Sequence, residues 1–264
     1  MLKPEQKSIA TRFSAAAGTY NRHSRIQSEA AASLMKFIGD GVMASKILEI
    51  GCGTGILTKK LAARYPSAVI CATDISEAMT AGARKHLGKY RRIQWLNGDF
   101  NAQKLPSGFD LAVSSSSLHW IYPLKNTFRK IHGLLRQEGT FAFSMMLKGT
   151  LAELHKSRRK AAPSKEVARQ LPTQKEVLHL LRLAGFRILR MRREICRPVL
   201  RSASSLLKAL HEQGVTGGPF ASGDKLLNRR ELVSLVSYYN SHYKCRRGGV
   251  FATYKILFVT AEKK

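Results

Sequence analysis

The sequence predicts an α/β fold in which a mostly parallel sheet carries helices on both faces. Three observations predict it. Short apolar runs alternate with helical patterns of roughly ten to fifteen residues, as repeated strand–helix crossovers require. A glycine-rich turn joins one such run to the next helix in ILEIGCGTGILTKK, Ile47 to Lys60. Carboxylates close the following two runs, at Asp74 and Asp99. Right-handed crossovers leave few other arrangements, and ligands of open parallel sheets collect where the strands end.

In chain order, Ile9 to Phe37 reads as helix interrupted near Gly18, with Ile26, Ala30, Leu34 and Phe37 on one stripe. KILEIGCG is a strand and turn, and ILTKKLAARYP a helix ended by Pro66. SAVICATDIS is a second strand, and SEAMTAGARKHLG a helix capped by Ser76 and stopped by Gly88. RRIQWLNGD gives a third short strand and FDLAVSSSSLHW a fourth with a polar end. LKNTFRKIHGLLRQEG reads as a helix ending in a glycine turn, and GTFAFSMML as a fifth strand. After Met146 the pattern turns polar and basic, then gives helix QKEVLHLLRLAG and strand FRILRMRREICR. RSASSLLKALHEQG and LLNRRELVSLVSYYNSHYK read as helices, and VFATYKILFVTAEK as one long β segment.

The 264 residues, 44% of them apolar, suffice for one large core with decoration. No run of eighteen apolar residues and no apolar amino-terminal signal core occur, so a soluble, intracellular and cytoplasmic protein without membrane attachment is expected. Cys52, Cys71, Cys196 and Cys245 lie at no zinc spacing, which predicts a reducing compartment, no structural metal and no disulfide framework. The 45 Lys and Arg against 17 Asp and Glu leave a formal charge of +28, a field that attracts polyanions. Fifteen basic and four acidic residues fall between Lys148 and Arg201, so the excess is densest there. Nucleic acid and an acidic carrier protein both answer to that charge.

A dinucleotide fingerprint needs G-x-G-x-x-G, whereas Gly51, Gly53 and Gly55 stand at G-x-G-x-G with Ile56 in the last glycine's place. A P-loop needs a following Gly-Lys-Ser/Thr, which is missing. What fits is E-x-G-x-G-x-G, with Glu49 and Cys52 in the same turn, as S-adenosylmethionine demands: close backbone approach and an acid for its cationic parts. Asp74 is placed to accept from both ribose hydroxyls. Asp99 is placed to accept from the adenine amino group beside the Phe100 backbone N–H, with Ile75 and Met79 as apolar walls. These residues, in this order, resemble the class I Rossmann-like methyltransferases. The resemblance implies a seven-stranded, mostly parallel sheet whose last strand is antiparallel, and VFATYKILFVTAEK resembles that last strand.

The acceptor must be read outside the cofactor core. No D/N-P-P-Y/F follows strand four and no Pro-Cys occurs, which leaves base amino-group and cytosine C5 methylation unsupported. In-line transfer to an already nucleophilic oxygen remains, and a carboxylate needs no general base. The opening RFSAAAGTYNRHSRIQ, the core run through FDLAVSSSSLHW, FSMMLKGTLAELHKS, LLKALHEQGVTG and GGVFATYKILFV together resemble the malonyl-acyl-carrier-protein O-methyltransferases that start pimelate synthesis for biotin.

That resemblance covers nearly the whole chain. It implies helices over 1–40 as a lid, a cofactor core over 41–147, a basic substrate cap over 148–225 interleaved with strand six and its helix, and a closing helix and strand over 226–264. It implies further that Phe13, Tyr20 and Gln27 lie over the cofactor, with Tyr20 orienting the acceptor, and that a malonyl-bearing acyl-carrier protein, or malonyl-CoA in its place, is the substrate of a monomeric enzyme, with no nucleic acid. Ser115 and His119 should line the cleft with Trp120 beneath, and His119 is a catalytic candidate for acting on the acceptor's proton, a step carboxylate methylation does not need. Lys148, Arg12 or Arg22 is expected to hold the substrate carboxylate, and Arg158, Arg159, Lys160 and Arg169 to dock the carrier. Two departures lie in the cap, at SKEVARQLPT with Leu171 and Pro172 and at GGPFASGD from Gly217 to Asp224, and these leave the substrate open. Another small carboxylic acid or phenol, RNA, or binding without turnover are the alternatives.

Overall fold

A computed structural model describes residues 2–165, 170–216 and 226–264. Helices α1 (Pro4–Ala16), α2 (Tyr20–His23) and α3 (Arg25–Ile38) open the chain. They lead to β1 (Lys46–Ile50), α4 (Ile56–Arg64), β2 (Val69–Asp74), α5 (Glu77–Leu87), β3 (Ile93–Asn97) and β4 (Phe109–Ser115). A 3-10 turn over Leu118–Trp120 precedes α6 (Leu124–Leu134), β5 (Leu135–Met146), α7 (Ala152–Ala161), α8 (Gln174–Leu183) and β6 (Phe186–Cys196). The rest comprises β7 (Val199–Leu200), α9 (Ala203–Glu212), α10 (Arg229–His242), β8 (Val250–Phe251) and β9 (Tyr254–Lys263).

Seven strands form one sheet in the order β3-β2-β1-β4-β5-β9-β6. The β1–β5 pairs are parallel, and β9 lies antiparallel between β5 and β6, as the sequence led us to expect. The strands at the centre are apolar because both faces are covered. On one face the α3 stripe of Ile26, Ala30, Leu34 and Phe37 is buried in a single cluster with Ile47, Ile70 and Phe258. On the other, Phe128 of α6 and Leu181 of α8 pack with Phe141, Phe143 and Phe186. Each such aromatic or aliphatic side chain contributes roughly 1.5–3 kcal/mol by leaving water. The helix starts follow their caps: Ser76 Oγ accepts from the Met79 N–H at 3.2 Å, and Thr173 with Glu176 and Asn228 with Glu231 form capping boxes.

Three boundaries differ from the sequence reading. Helix α6 stops at Leu134, and the residues expected to continue it open β5 instead, with Glu138 in the left-handed region at φ 60°. Arg136 is held there by Asp110 at 2.6 Å, and Lys263 Nζ bonds the Leu135 carbonyl at 2.8 Å, so tertiary partners win over helix propensity. Strand β3 ends at Asn97, which leaves Asp99 two residues beyond it. The closing β segment divides into β8 and β9, because the Ala252 N–H turns to the Pro198 carbonyl (3.2 Å) and the Thr253 N–H to the Glu153 carboxylate (3.0 Å). No helix among the described residues is long and apolar enough to cross a membrane. The altered loop at Gly217–Asp224 lies outside the described residues.

Candidate active site

The glycine turn at the end of β1 is pinned to β2: the N–H groups of Gly51 and Cys52 both donate to the Thr73 carbonyl, at 2.8 and 3.0 Å. Gly51 has φ 71°, and a Cβ there would come within 1.7 Å of Ser117 Oγ, so the turn packs directly on the chain after β4. Gly53 has φ 52° and open space where its Cβ would be, the kind of bare backbone a ligand can approach. Its N–H donates to Asp74 Oδ2 at 2.8 Å, while the Ser76 N–H donates to Oδ1 at 2.8 Å. Asp74 is thus fixed at the end of β2, with acceptor capacity left on both oxygens. Gly55 does something else. At φ 85° it starts α4, and its missing Cβ makes room for Leu87 and Ala83 of α5, at 2.8 and 3.2 Å. It serves helix packing rather than the ligand face expected of it.

These groups open on a cavity of about 340 Å³ at the carboxyl ends of the strands. Of the residues expected at a cofactor, Glu49, Gly51, Cys52, Gly53, Asp74, Ile75, Met79, Asp99, Phe100 and Ser115 all line it, as do Tyr20 and His119. Glu49 is 1% exposed, and its Oε2 has no hydrogen-bond partner in the protein. Burial pushes its carboxyl up to about 8, with Thr58 opposing and the nearby Asp74 charge adding to the rise. Burial also raises Asp74, against the pull of the Ser76, Gly53 and Ile75 N–H groups. The Tyr20 phenol is raised by burial and then by Asp74, which keeps it a protonated donor.

Helices α1–α3 close the cavity from one side. Phe13 meets Trp120 edge-to-face at 5.2 Å, Thr54 Oγ1 donates to Asn21 Oδ1 at 2.6 Å, and Ser14 and Ser76 share a hydrogen bond of 2.8 Å. Gln27 Nε2 donates to Gln213 Oε1 at 3.0 Å, and Gln213 Nε2 in turn to the His23 carbonyl at 2.7 Å. At the end of β4, Ser115 Oγ pairs with Ser144 Oγ at 3.0 Å, and the Met146 N–H reaches His119 Nδ1 at 3.4 Å. A neutral His119 therefore carries its proton on Nε2. Ser116 and Ser117 also line the cavity, and the SSSS run is their visible signal. Gln213 and Tyr254 line it as well, and nothing local in the sequence marks them.

The expected cations are elsewhere. Lys148 is exposed and absent from the lining, because after β5 the chain turns away: Leu147 N–H bonds the Lys255 carbonyl and Lys148 N–H the Pro172 carbonyl, both at 2.9 Å. Arg12 is spent on the Ser8 and Thr216 carbonyls, at 3.2 and 2.9 Å, and Arg22 is exposed outside the lining. Among the described residues the lining carries four carboxyl groups, on Glu5, Glu49, Asp74 and Asp99, and one ammonium, on Lys3. Such a site suits a cationic ligand. On α7, Arg159 and Lys160 are exposed, whereas Arg158 is half-buried with Nε turned to the Lys165 carbonyl at 3.4 Å. Arg169 lies outside the described residues.

The sequence pattern of the family described as "Methyltransferase domain" matches residues 48–141, from β1 into β5. The malonyl-[acyl-carrier protein] O-methyltransferase of Geobacter sulfurreducens is 28% identical over 263 residues, covering 96% of this chain and 97% of its own. Among solved structures, a methyltransferase from Bacillus halodurans aligns with a TM-score of 0.64 at 12% identity, over 88% of this chain and 98% of its own. A geranyl diphosphate methyltransferase solved with S-adenosylmethionine aligns at 0.54 with 13% identity, over 90% and 85%. The family pattern covers the first part of the sheet, while the Geobacter sulfurreducens relative and both solved structures align along most of the chain.

Proposed function

We propose that this class I methyltransferase transfers a methyl group from S-adenosylmethionine to the free carboxyl of malonyl-acyl-carrier protein, giving the methyl ester that opens pimeloyl synthesis for biotin. One observation carries the cofactor half: the bare backbone at Gly53 and a fixed Asp74 open together on a cavity lined by several carboxyl groups. Similarity along the whole chain to the Geobacter sulfurreducens enzyme supports the acceptor half.

When bound, S-adenosylmethionine supplies a methyl carbon on a positively charged sulfonium, and the rest falls to this chain. Asp74 would accept from the ribose hydroxyls, Gly53 would let the cofactor approach the backbone of the turn that Gly51 packs against Ser117, and the unpartnered Glu49 Oε2 would receive its ammonium group. Asp99 and the Phe100 N–H would meet the adenine edge, with Ile75 and Met79 against its faces. Among the described residues that line the cavity, the donors for the acceptor end are Tyr20 and His119 with Ser115 beside them, and no guanidinium. Neutral donors hold one carboxylate oxygen while leaving the other nucleophilic, since a full ion pair would draw charge from the attacking atom. Catalysis is then positioning: acceptor oxygen and methyl carbon in line about 3–3.5 Å apart, with water kept out by Phe13, Trp120 and the helices above them.

The test offers purified protein labelled adenosylmethionine with malonyl-carrier protein, malonyl-pantetheine, free malonate and total RNA in parallel. Label on malonyl-carrier protein, released by mild base as methanol, is the expected result. Label in RNA alone would overturn the reading.

A further inference from the structure

We propose that the carrier docks on the basic ribbon formed by β7, β8 and the hairpin after α10, rather than on α7. The proposal rests on the acceptor being a carrier-borne malonyl group. Three extended segments lie side by side there: Val199 pairs with Phe251 and Leu200 with Val250, while Lys244 bridges to Val250 and the Phe251 N–H reaches the Tyr243 carbonyl at 3.2 Å. Arg246 and Arg247 sit at the tip, where Cys245 and Gly249 close the turn at 3.0 Å. Arg197 lies over the Phe251 ring at 5.8 Å, and Arg201 follows β7. Arg197, Arg201, Lys244, Arg246 and Arg247 are all exposed, and none takes part in the ion pairs found between described residues. Val199, 61% exposed, sets an apolar spot among them.

The ribbon is tied to the active site. Cys196, next to Arg197, pairs with Tyr254, and Tyr254 lines the cavity. Tyr239 OH donates to the Phe251 carbonyl at 2.8 Å, and Thr253 is fixed through its N–H and hydroxyl to the buried Glu153, so the cations hold a set position relative to the cleft. Five exposed positive charges, without ion pairs among the described residues, around an apolar spot fit an acidic protein surface with apolar residues of its own. A polynucleotide fits less well, because the adjoining cavity carries four carboxyl groups against one ammonium.

The experiment compares wild type with R246E/R247E, R197E and R159E/K160E, each assayed on malonyl-carrier protein and on malonyl-pantetheine, which bears the same reacting group without the carrier. Reversal on the ribbon should raise KM for the carrier substrate about tenfold, more at low salt than at high, with kcat and the malonyl-pantetheine reaction unchanged. The α7 pair should leave both reactions as in wild type. An unaltered carrier KM in the ribbon variants, or a rise confined to R159E/K160E, overturns the proposal. So does a ribbon reversal that weakens RNA binding and not carrier turnover. Wild type inactive on both malonyl substrates would instead sink the reading of the acceptor on which this one rests.

Discussion

Replacing Glu49 by Gln tests the electrostatics of the cavity floor directly. The ordinary carboxyl value of 4.5 is raised to about 8 in the fold, with burial the main cause. Below pH 4.5 folded and unfolded chains both hold the proton and the group contributes nothing to pH dependence. Between 4.5 and 8 the unfolded chain releases it while the folded chain keeps it, so stability falls as pH rises through that window. At about 1.4 kcal/mol per pH unit, the loss approaches an upper bound on the order of 5 kcal/mol once the buried carboxylate ionises. Ligand-free wild type should therefore lose melting temperature from pH 5 to pH 8 more steeply than Glu49→Gln, whose amide stays neutral. A cationic ligand reverses the balance by favouring the carboxylate. Calorimetry near pH 6.5 in buffers of different ionisation enthalpy should find about one proton released per adenosylmethionine bound to wild type, and none in the variant. Equal pH slopes for the two proteins, or equal proton release, would refute the assignment of Oε2 to the cofactor's ammonium.

Asp74→Asn should weaken adenosylmethionine binding on the order of tenfold or more by calorimetry, since one carboxylate oxygen becomes an amide donor facing the Gly53 or Ser76 N–H. Gly51→Ala forces a methyl to within 1.7 Å of Ser117 Oγ at φ 71°, and should cost roughly 1–3 kcal/mol in denaturant unfolding. Glu153→Ala strips the Thr253 N–H and hydroxyl of their buried acceptor, and should lower stability by about 3 kcal/mol while leaving cofactor affinity intact. Thermal melts with and without adenosylmethionine separate those two effects.

The residues expected at the cofactor could be placed at one cavity from the sequence because the features that mark them are local. The glycine spacing and Asp74 follow from where β1 and β2 stop, and Glu49 within β1, Asp74 and Asp99 beyond β3 all reach the same cavity. Charge location resisted the same reading, since a lysine's surroundings are set by the element it leaves. Lys148 is carried outward by two backbone hydrogen bonds to residues far along the chain, and Arg158 folds onto a carbonyl seven residues on. Gly55 shared its spacing with Gly51 and Gly53, and only the approach of α5 tells its role from theirs. The hydrogen-bonded Gln27 and Gln213 stand 186 residues apart, a separation no periodicity bridges.

The place of β9 bears on how the protein is made. Every other strand of the large sheet is synthesised before it, yet β9 lies between β5 and β6 and bonds both. Until it leaves the ribosome those two strands have no common partner, and the apolar backs of Phe141 and Phe143 lack Leu257 and Val259 beside them. The nascent chain thus waits with two open strand edges, a state prone to pairing with neighbours. Helix α3 is complete far earlier, but Phe37 must also wait for Phe258. Closure of the sheet between β5 and β6 therefore depends on the ten residues of β9, the last of its strands to be made.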